Sequence, residues 1–324
     1  MKAVFVNRYG GPEVLTYQEA PGPTPGPDEV LIRTAIASVN FADIKARRGT
    51  DSVTTQLPFI PGHEVVGTIE AVGDNVRILR MGQRVAALTS SGAYAELVAA
   101  PAASTFPLPE TLASEAAAGL VVLITAFNIL TLAGRLVPGE SVLVQAAAGG
   151  TGSTAVQLAK RLGAGLVIGA VGSDEKVALV RELGADQVIN YRREQLAPRV
   201  RELTGSAGID LILDSVGGPT FAAGLRCLAP GGRIVVFGHT SGESGHAPTN
   251  ILQEENRAVI GYRGRAYLKR RPEVMVQAAN AMLKRAADGE IRLVIGGRFA
   301  LRDATAAHRC VESRESVGKI LLFP

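Results

Sequence analysis

"QAAAGGTGST", residues 145–154, is the stretch on which the fold turns. Ala147, Gly149, Gly150 and Gly152 keep the spacing of a glycine turn whose first glycine is replaced by alanine. Glycine at such places allows a tight bend, lets backbone approach a pyrophosphate, and lets a helix pack close to a strand; the N–H groups that open the helix then face the anion. Alone the pattern is weak, and its flanks give it weight. "ESVLVQAA" is a short apolar strand after a Pro-Gly turn, and "GSTAVQLAKRLGA" sets Ala155, Val156, Leu158, Ala159 and Leu162 on one helical face. Strand, glycine turn and helix in that order predict a dinucleotide site.

The same alternation continues downstream. "GLVIGAV" with a helix ending at "ELGAD", then "QVINY", "GIDLILDSV", "GGRIVVFG" and "RAVIGYRG", are apolar strands separated by helix-length segments. Strands that read as near-continuous apolar runs are covered on both faces, so residues 122–262 are predicted to form a doubly wound parallel sheet and the class is α/β. Residues 1–100 read instead as short strands and turns, with "EVLIRTAIASV" partly alternating and "EVVGTIEAVGDNV" giving a strand-pair signal. "PEVMVQAANAMLKRAADGEI" (272–291) is an amphipathic helix stopped by Gly289, "RDATAAHRCVESRES" a second helix and "GKILLF" a last strand. These end pieces are too small to stand alone, so residues 1–121 and 263–324 are expected to make one β-rich domain.

At the end of the second strand, "VIGAVGSDEK" (167–176), a nucleotide fold that binds NAD carries a carboxylate for the ribose hydroxyls. That carboxylate would repel a 2′-phosphate. Val171 stands in its place, followed by Gly172, Ser173 and, one turn on, Lys176. With the repulsion gone and a hydroxyl and an ammonium near a helix start, the expected cofactor is NADPH.

Composition narrows the function further. Aromatic residues are 5% and Trp is absent, which disfavours stacking platforms for single-stranded nucleic acid. Two cysteines, Cys227 and Cys310, with no Cys/His cluster, exclude a disulfide framework or a sulfur-rich metal site. The net charge of +4 has a local source in "RGRAYLKRRPE" (263–273), read as a solvated basic edge or a field for an anionic cofactor. "AAAGLVVLITAFNILTLA" (116–133) has no charge over eighteen residues, but Thr125 and Asn128 lie within it and it is read as a buried linker entering a core helix rather than a membrane span. "MKAVFVNRYGG" lacks the apolar core of a signal peptide, so a cytoplasmic protein is expected. "RAVIGYRG" would lie at an open sheet edge, which predicts a homodimer paired edge to edge.

Together "ASVNFADIKARRG", "PFIPGHEVVGTIEAVGDNV", "GQRVAAL", "VQAAAGGTGSTAVQLAKRLGA", "GADQVINYR", "LDSVGGPTF", "GGRIVVFG" and "ESRESVGKILL" resemble the zinc-independent quinone oxidoreductases of the medium-chain dehydrogenase/reductase superfamily, along essentially the whole chain. The resemblance implies a GroES-like catalytic domain and a Rossmann domain. It places Asn40 at the catalytic pocket with Asp43 as its orienting partner. It assigns Thr125, Ala148, Gly149, Gly150, Thr151, Gly152, Phe237 and Gly238 to the cofactor, and Lys176, Tyr191 and Arg314 to its 2′-phosphate, beside the Ser173 hydroxyl. Zinc-using relatives carry a cysteine, a His-Glu pair and a third ligand; the matching places here hold Asn40, His63 with Glu64, and Val121, so no metal is expected and His63 is read as a hydrogen-bonded structural histidine. Several members carry a tyrosine where Lys45 stands, a departure in the substrate pocket.

What the resemblance implies is hydride delivery from NADPH to a quinone or enone. The alternative enzyme reading is an enoyl thioester or other alkene reductase. A nucleic-acid-binding or structural protein that retains the fold is the alternative of another class.

Overall fold

The computed structural model describes residues 1–51 and 55–324. It divides into two compact units, Met1–Val121 with Ala279–Pro324, and Val122–Ala278.

In the second unit six parallel strands stand in the order Gln187–Asn190, Leu166–Val171, Ser141–Val144, Ile209–Asp214, Leu228–Val236, Ala258–Gly261. Counted along the chain this is the 3-2-1-4-5-6 order of the Rossmann fold, with the reversal between Ser141–Val144 and Ile209–Asp214. Every strand predicted from the apolar runs is present. Leu143, Ile168, Ile189, Ile212 and Ile234 are fully buried in its core, each contributing roughly 1.5–3 kcal/mol of transfer free energy. The helix Gly150–Arg161 buries Ala155, Val156, Leu158 and Ala159, the face its sequence period marks.

The return to the first unit comes at Ala279 rather than at 263. Met275, in the helix Pro272–Ala287, explains the difference: its sulfur lies 3.7 Å from Asn128 Nδ2 and 4.0 Å from the Tyr262 hydroxyl, both in the nucleotide unit. The charge-free run 116–133 becomes two short helices, Ser114–Ala117 and Leu120–Asn128, and a π-turn, Ile129–Ala133. Leu120, Leu123, Ile124 and Leu130 are buried, which accounts for the missing charges. Among the described residues no helix is long and apolar enough to cross a membrane.

The first unit is built on a seven-stranded sheet around the eleven-residue strand Glu29–Val39. Antiparallel pairing links that strand to Glu64–Val72, Leu97–Pro101 and Lys319–Phe323, the last of these carrying Ile295–Ala300 in parallel at the edge. In "EVVGTIEAVGDNV" the residues Glu64–Val72 are one continuous strand, not a pair, and the strand ends in the Gly-Asp-Asn turn. Gly67 in its middle is a packing glycine rather than a turn: a Cβ there would lie 2.1 Å from the Arg33 carbonyl oxygen. The C-terminal strand and the helix Ala304–Glu312 share a core with Val4, Val39 and Tyr94.

Candidate functional site

In the nucleotide unit the glycine turn follows the strand Ser141–Val144 and ends at Gly149, the residue before the helix Gly150–Arg161. The Gly149 N–H closes the turn on Ala146 O at 2.9 Å, and the first intrahelical bond is from Ser153 N–H to Gly149 O at 2.8 Å, so the N–H groups of Gly150, Thr151 and Gly152 open the helix without an intrahelical acceptor. Gly152 has no substitute: a Cβ would meet Ala146 O at 2.2 Å. The alanine that replaces the first glycine is accommodated from the neighbouring strand. A Cβ at Gly169 would come within 3.1 Å of the Ala147 methyl, so the missing side chain at 169 is what admits the extra one at 147. Ala148 is buried and Thr151 half-buried beside it. Phe237 donates its N–H to Asp214 O at 2.9 Å, and a Cβ at Gly238 would lie 2.9 Å from Ser215 O, so two adjacent strand ends press backbone to backbone.

At the acid's usual place Val171 is buried. Tyr191 packs on Gly172, where a Cβ would stand 2.6 Å from the tyrosine hydroxyl; glycine here makes room for that ring. The reading that repulsion is gone needs a correction, because Asp174 and Glu175 follow at once. Asp174 is offset: its carboxylate takes the Asn190 amide at 2.7 Å and Arg193 at 2.5 Å. Glu175 is held below the usual carboxylate range chiefly by a hydrogen bond from Ser173, so that hydroxyl is already engaged. Lys176 lies in the first turn of the helix Glu175–Glu182. Thr125 is half-buried in Leu120–Asn128, and Arg314, exposed with φ 60°, belongs to the first unit.

Sequence reasoning passed over Asp214, fully buried at the end of Ile209–Asp214, where one oxygen accepts the Val216 and Gly217 N–H groups at 2.7 and 3.0 Å. Burial pushes its carboxyl up despite those bonds. An aspartate closing the apolar run "LILD" was the signal.

The first unit also holds a buried network of charged residues. Asn40 precedes the helix Phe41–Arg48, and its backbone N–H donates to Asp43 Oδ2 at 2.8 Å. Its side chain is held further by Nδ2, which donates to Glu64 Oε1 at 2.8 Å, and by Oδ1, which accepts from Lys319 Nζ at 2.9 Å. Lys319 also donates to Glu64 at 2.9 Å and to Val39 O at 3.0 Å, which uses all three of its protons. Glu64 further accepts from Ser38 Oγ at 2.5 Å and from the Val121 N–H at 2.7 Å. The signal for Lys319 was a lysine at the head of "KILLF", a strand otherwise wholly apolar.

Asp43 is the second node. His63 Nδ1 lies 2.5 Å from Oδ1, and the Tyr94 hydroxyl donates to Oδ2 at 3.1 Å. Burial alone would raise this carboxyl; the neighbouring His63, through charge and hydrogen bond, and the Asn40 N–H outweigh it and hold Asp43 below its usual range. Tyr94 is driven far up by burial and by Asp43. His308, buried behind them at 3.0 Å from the Tyr94 hydroxyl and 3.1 Å from Arg47 Nη1, is pushed down by burial to about 4. His63 is hydrogen-bonded, as expected, and Lys45 is half-buried on the same helix as Asp43. Among the described residues no group of three His, Cys, Asp or Glu side chains could hold a metal ion.

A pH dependence follows from His308. Its folded pKa lies below the unfolded value, so the unfolded chain binds the proton more readily, and stability falls as pH drops from about 6.5 toward about 4. The loss is on the order of 3 kcal/mol, and Asp43 adds to it in the same direction at lower pH. Urea unfolding of the wild type should show its midpoint falling across that window, with His308→Gln flattening the fall. Equal midpoints at both ends in the wild type would contradict this.

Family models match both parts of the chain: an alcohol dehydrogenase GroES-like domain over residues 26–110 and a zinc-binding dehydrogenase over 150–282. The chain is 37% identical to a quinone oxidoreductase of Pseudomonas aeruginosa, covering 100% of this chain and 99% of the relative. It is 32% identical to a 2-haloacrylate reductase of a Burkholderia species, covering 99% and 98%. The crystal structure of Escherichia coli quinone oxidoreductase complexed with NADPH superposes with a TM-score of 0.94 at 32% identity, over the whole of both chains. With full-length identity at this level and the same two folds, the chain belongs to the quinone oxidoreductases of the medium-chain dehydrogenase/reductase superfamily.

Proposed function

We propose that the protein reduces a quinone or related conjugated carbonyl with NADPH, in the cytoplasm, without a catalytic zinc. NADPH, when bound, supplies the hydride. The glycine cradle fits it: the helix-opening N–H groups of Gly150, Thr151 and Gly152, with Ala148 and Gly149 in the turn, suit a pyrophosphate. Lys176 and Tyr191 suit the 2′-phosphate, which Ser173 would meet by exchanging its bond to Glu175, and Arg193 and Asn190 keep Asp174 from opposing it. Phe237 and Gly238 lie at the next strand end.

The observation that carries the zinc-free reading is the state of Glu64. Its carboxylate is occupied by Lys319, Asn40, Ser38 and the Val121 N–H, so an ammonium already compensates the charge that a metal would meet. Asn40 and Val121 offer an amide and an alkyl group where relatives place metal ligands. Generating an alkoxide from an alcohol near neutral pH calls for a Lewis acid. A quinone is already electrophilic, and the protein's task is to orient it and stabilise the oxygen as charge develops. The Asn40 amide, fixed at both ends by a buried ion pair, is the first residue proposed to meet the acceptor, with Asp43 holding its backbone.

The 2-haloacrylate reductase among the relatives favours a second reading, reduction of an activated alkene by the same hydride delivery. NADPH oxidation measured against a panel of quinones, enones and 2-haloacrylates separates the two. Quinones are expected to give the highest kcat/KM; a preference for the alkenes would make the second reading the function.

We also propose a homodimer, paired through the edge strand Ala258–Gly261, whose Val259 is exposed. The two free thiols fit a reducing compartment. Light scattering at micromolar concentration should give twice the chain mass, and a monomer mass would refute the pairing.

A further inference from the structure

The hydrogen bonds behind Asn40 have a fixed direction. Arg47 can only donate, so its Nη1, 3.1 Å from His308 Nδ1, makes that nitrogen the acceptor. His308 therefore carries its proton on Nε2 and gives it to the Tyr94 oxygen at 3.0 Å, leaving the tyrosine proton for Asp43 Oδ2 at 3.1 Å. Asn40 N–H occupies the same oxygen at 2.8 Å. Every proton in the chain points at Asp43, which is thereby kept as a carboxylate. Its other oxygen, 2.5 Å from His63 Nδ1, accepts, so His63 donates from Nδ1 and gains or loses its second proton at Nε2. The His63 side chain is 19% exposed while that of Asp43 is 0% exposed. His63 and Asn40 are thus two arms on one carboxylate, and the neighbouring residue, Glu64, holds the Asn40 amide.

We propose that His63 is the proton donor of the reaction, set in place by Asp43, so that this histidine is catalytic rather than structural. The inference rests on the hydride-transfer reading above. Hydride forms the new bond at the acceptor carbon (or, for a quinone, at a ring position or oxygen), and an electron pair moves onto a carbonyl oxygen. That oxygen takes the Nε2 proton as the His63 N–H bond breaks. The products are the reduced acceptor and NADP⁺; neutral His63 regains one proton from water, so one proton is consumed per turnover. Among the described residues, Asp43 on Phe41–Arg48 meets His63 directly and links it to Tyr94, His308 and Arg47, while Glu64, next to it in the chain, carries Lys319. A positioned general acid contributes about 10²–10⁴-fold.

The test compares wild type with His63→Asn, whose amide keeps a donor for Asp43 and cannot titrate, using NADPH and one good acceptor. Expected are a kcat about a hundredfold lower, NADPH affinity within about twofold by fluorescence titration, and loss of the descending alkaline limb of the kcat–pH profile. NMR titration of the free wild-type protein should show the His63 Nδ1 proton retained across the titration, with Asp43→Asn moving that titration to lower pH. If wild type is active and His63→Asn matches its kcat and pH limb, the proposal is overturned while the hydride-transfer reading stands. If wild type oxidises no NADPH with any acceptor, both fall.

Discussion

Replacing Lys319 by methionine is expected to destabilise the first unit by about 3–5 kcal/mol, because it strands the buried Glu64 carboxylate without its counter-charge. Both side chains are 2% exposed, so solvent screening does not dilute the loss. Methionine fills similar volume, which leaves charge rather than a cavity as the cause. Adding Glu64→Gln should recover most of the loss, since the glutamine oxygen still accepts from Ser38 or Asn40 and no charge is left behind. Urea denaturation of the two singles and the double measures this as a cycle. The Lys319→Met variant should also lose turnover where it is still folded, because Asn40 Oδ1 has lost its donor. Additive single effects would show that the pair does not act as a unit.

Lys176→Ala is expected to lower kcat/KM for NADPH by about tenfold to a hundredfold and to leave NADH nearly unchanged. Hydrogen bonds to charged groups contribute roughly 1.5–3 kcal/mol, and tenfold corresponds to about 1.4 kcal/mol. Lys176 is half-buried, which favours the lower end of the range. NADH lacks the phosphate that Lys176 is proposed to meet. Gly172→Asp should move preference toward NADH by two routes, repelling the phosphate and displacing Tyr191, whose hydroxyl lies 2.6 Å from where the new Cβ would stand. Equal impairment of both cofactors by Lys176→Ala would remove the lysine from the phosphate site.

The nucleotide half was legible because its strands are apolar on both faces and its glycines are imposed by contact: the clash at Gly152 is local to the turn, three positions from Gly149. Even the alanine at 147 has a readable cause once Gly169 is paired with it, but that pairing joins neighbouring strands and no single window contains it. The β-rich half was legible only in part. Asn40 and Asp43 stand in one short motif, whereas Lys319 reaches Asn40 across 279 positions and Arg47 reaches His308 across 261. Asp43 and Arg47, four apart on the face that buries Ile44, did carry a local hint that charge was going inside. The domain boundary near 262 was misplaced because Met275 looks like any apolar helix position until its partners Asn128 and Tyr262 are known. Asp174 was passed over for a similar reason, since its partner Arg193 lies nineteen positions away on a different segment.

The most direct measurement is steady-state turnover of one good quinone by enzyme dialysed against a chelator, with elemental analysis of the same sample and NADPH and NADH compared side by side. Full activity at negligible zinc, with kcat/KM higher for NADPH, is the result this account predicts. One zinc per chain whose removal abolishes turnover, or a wild-type preference for NADH, would contradict it.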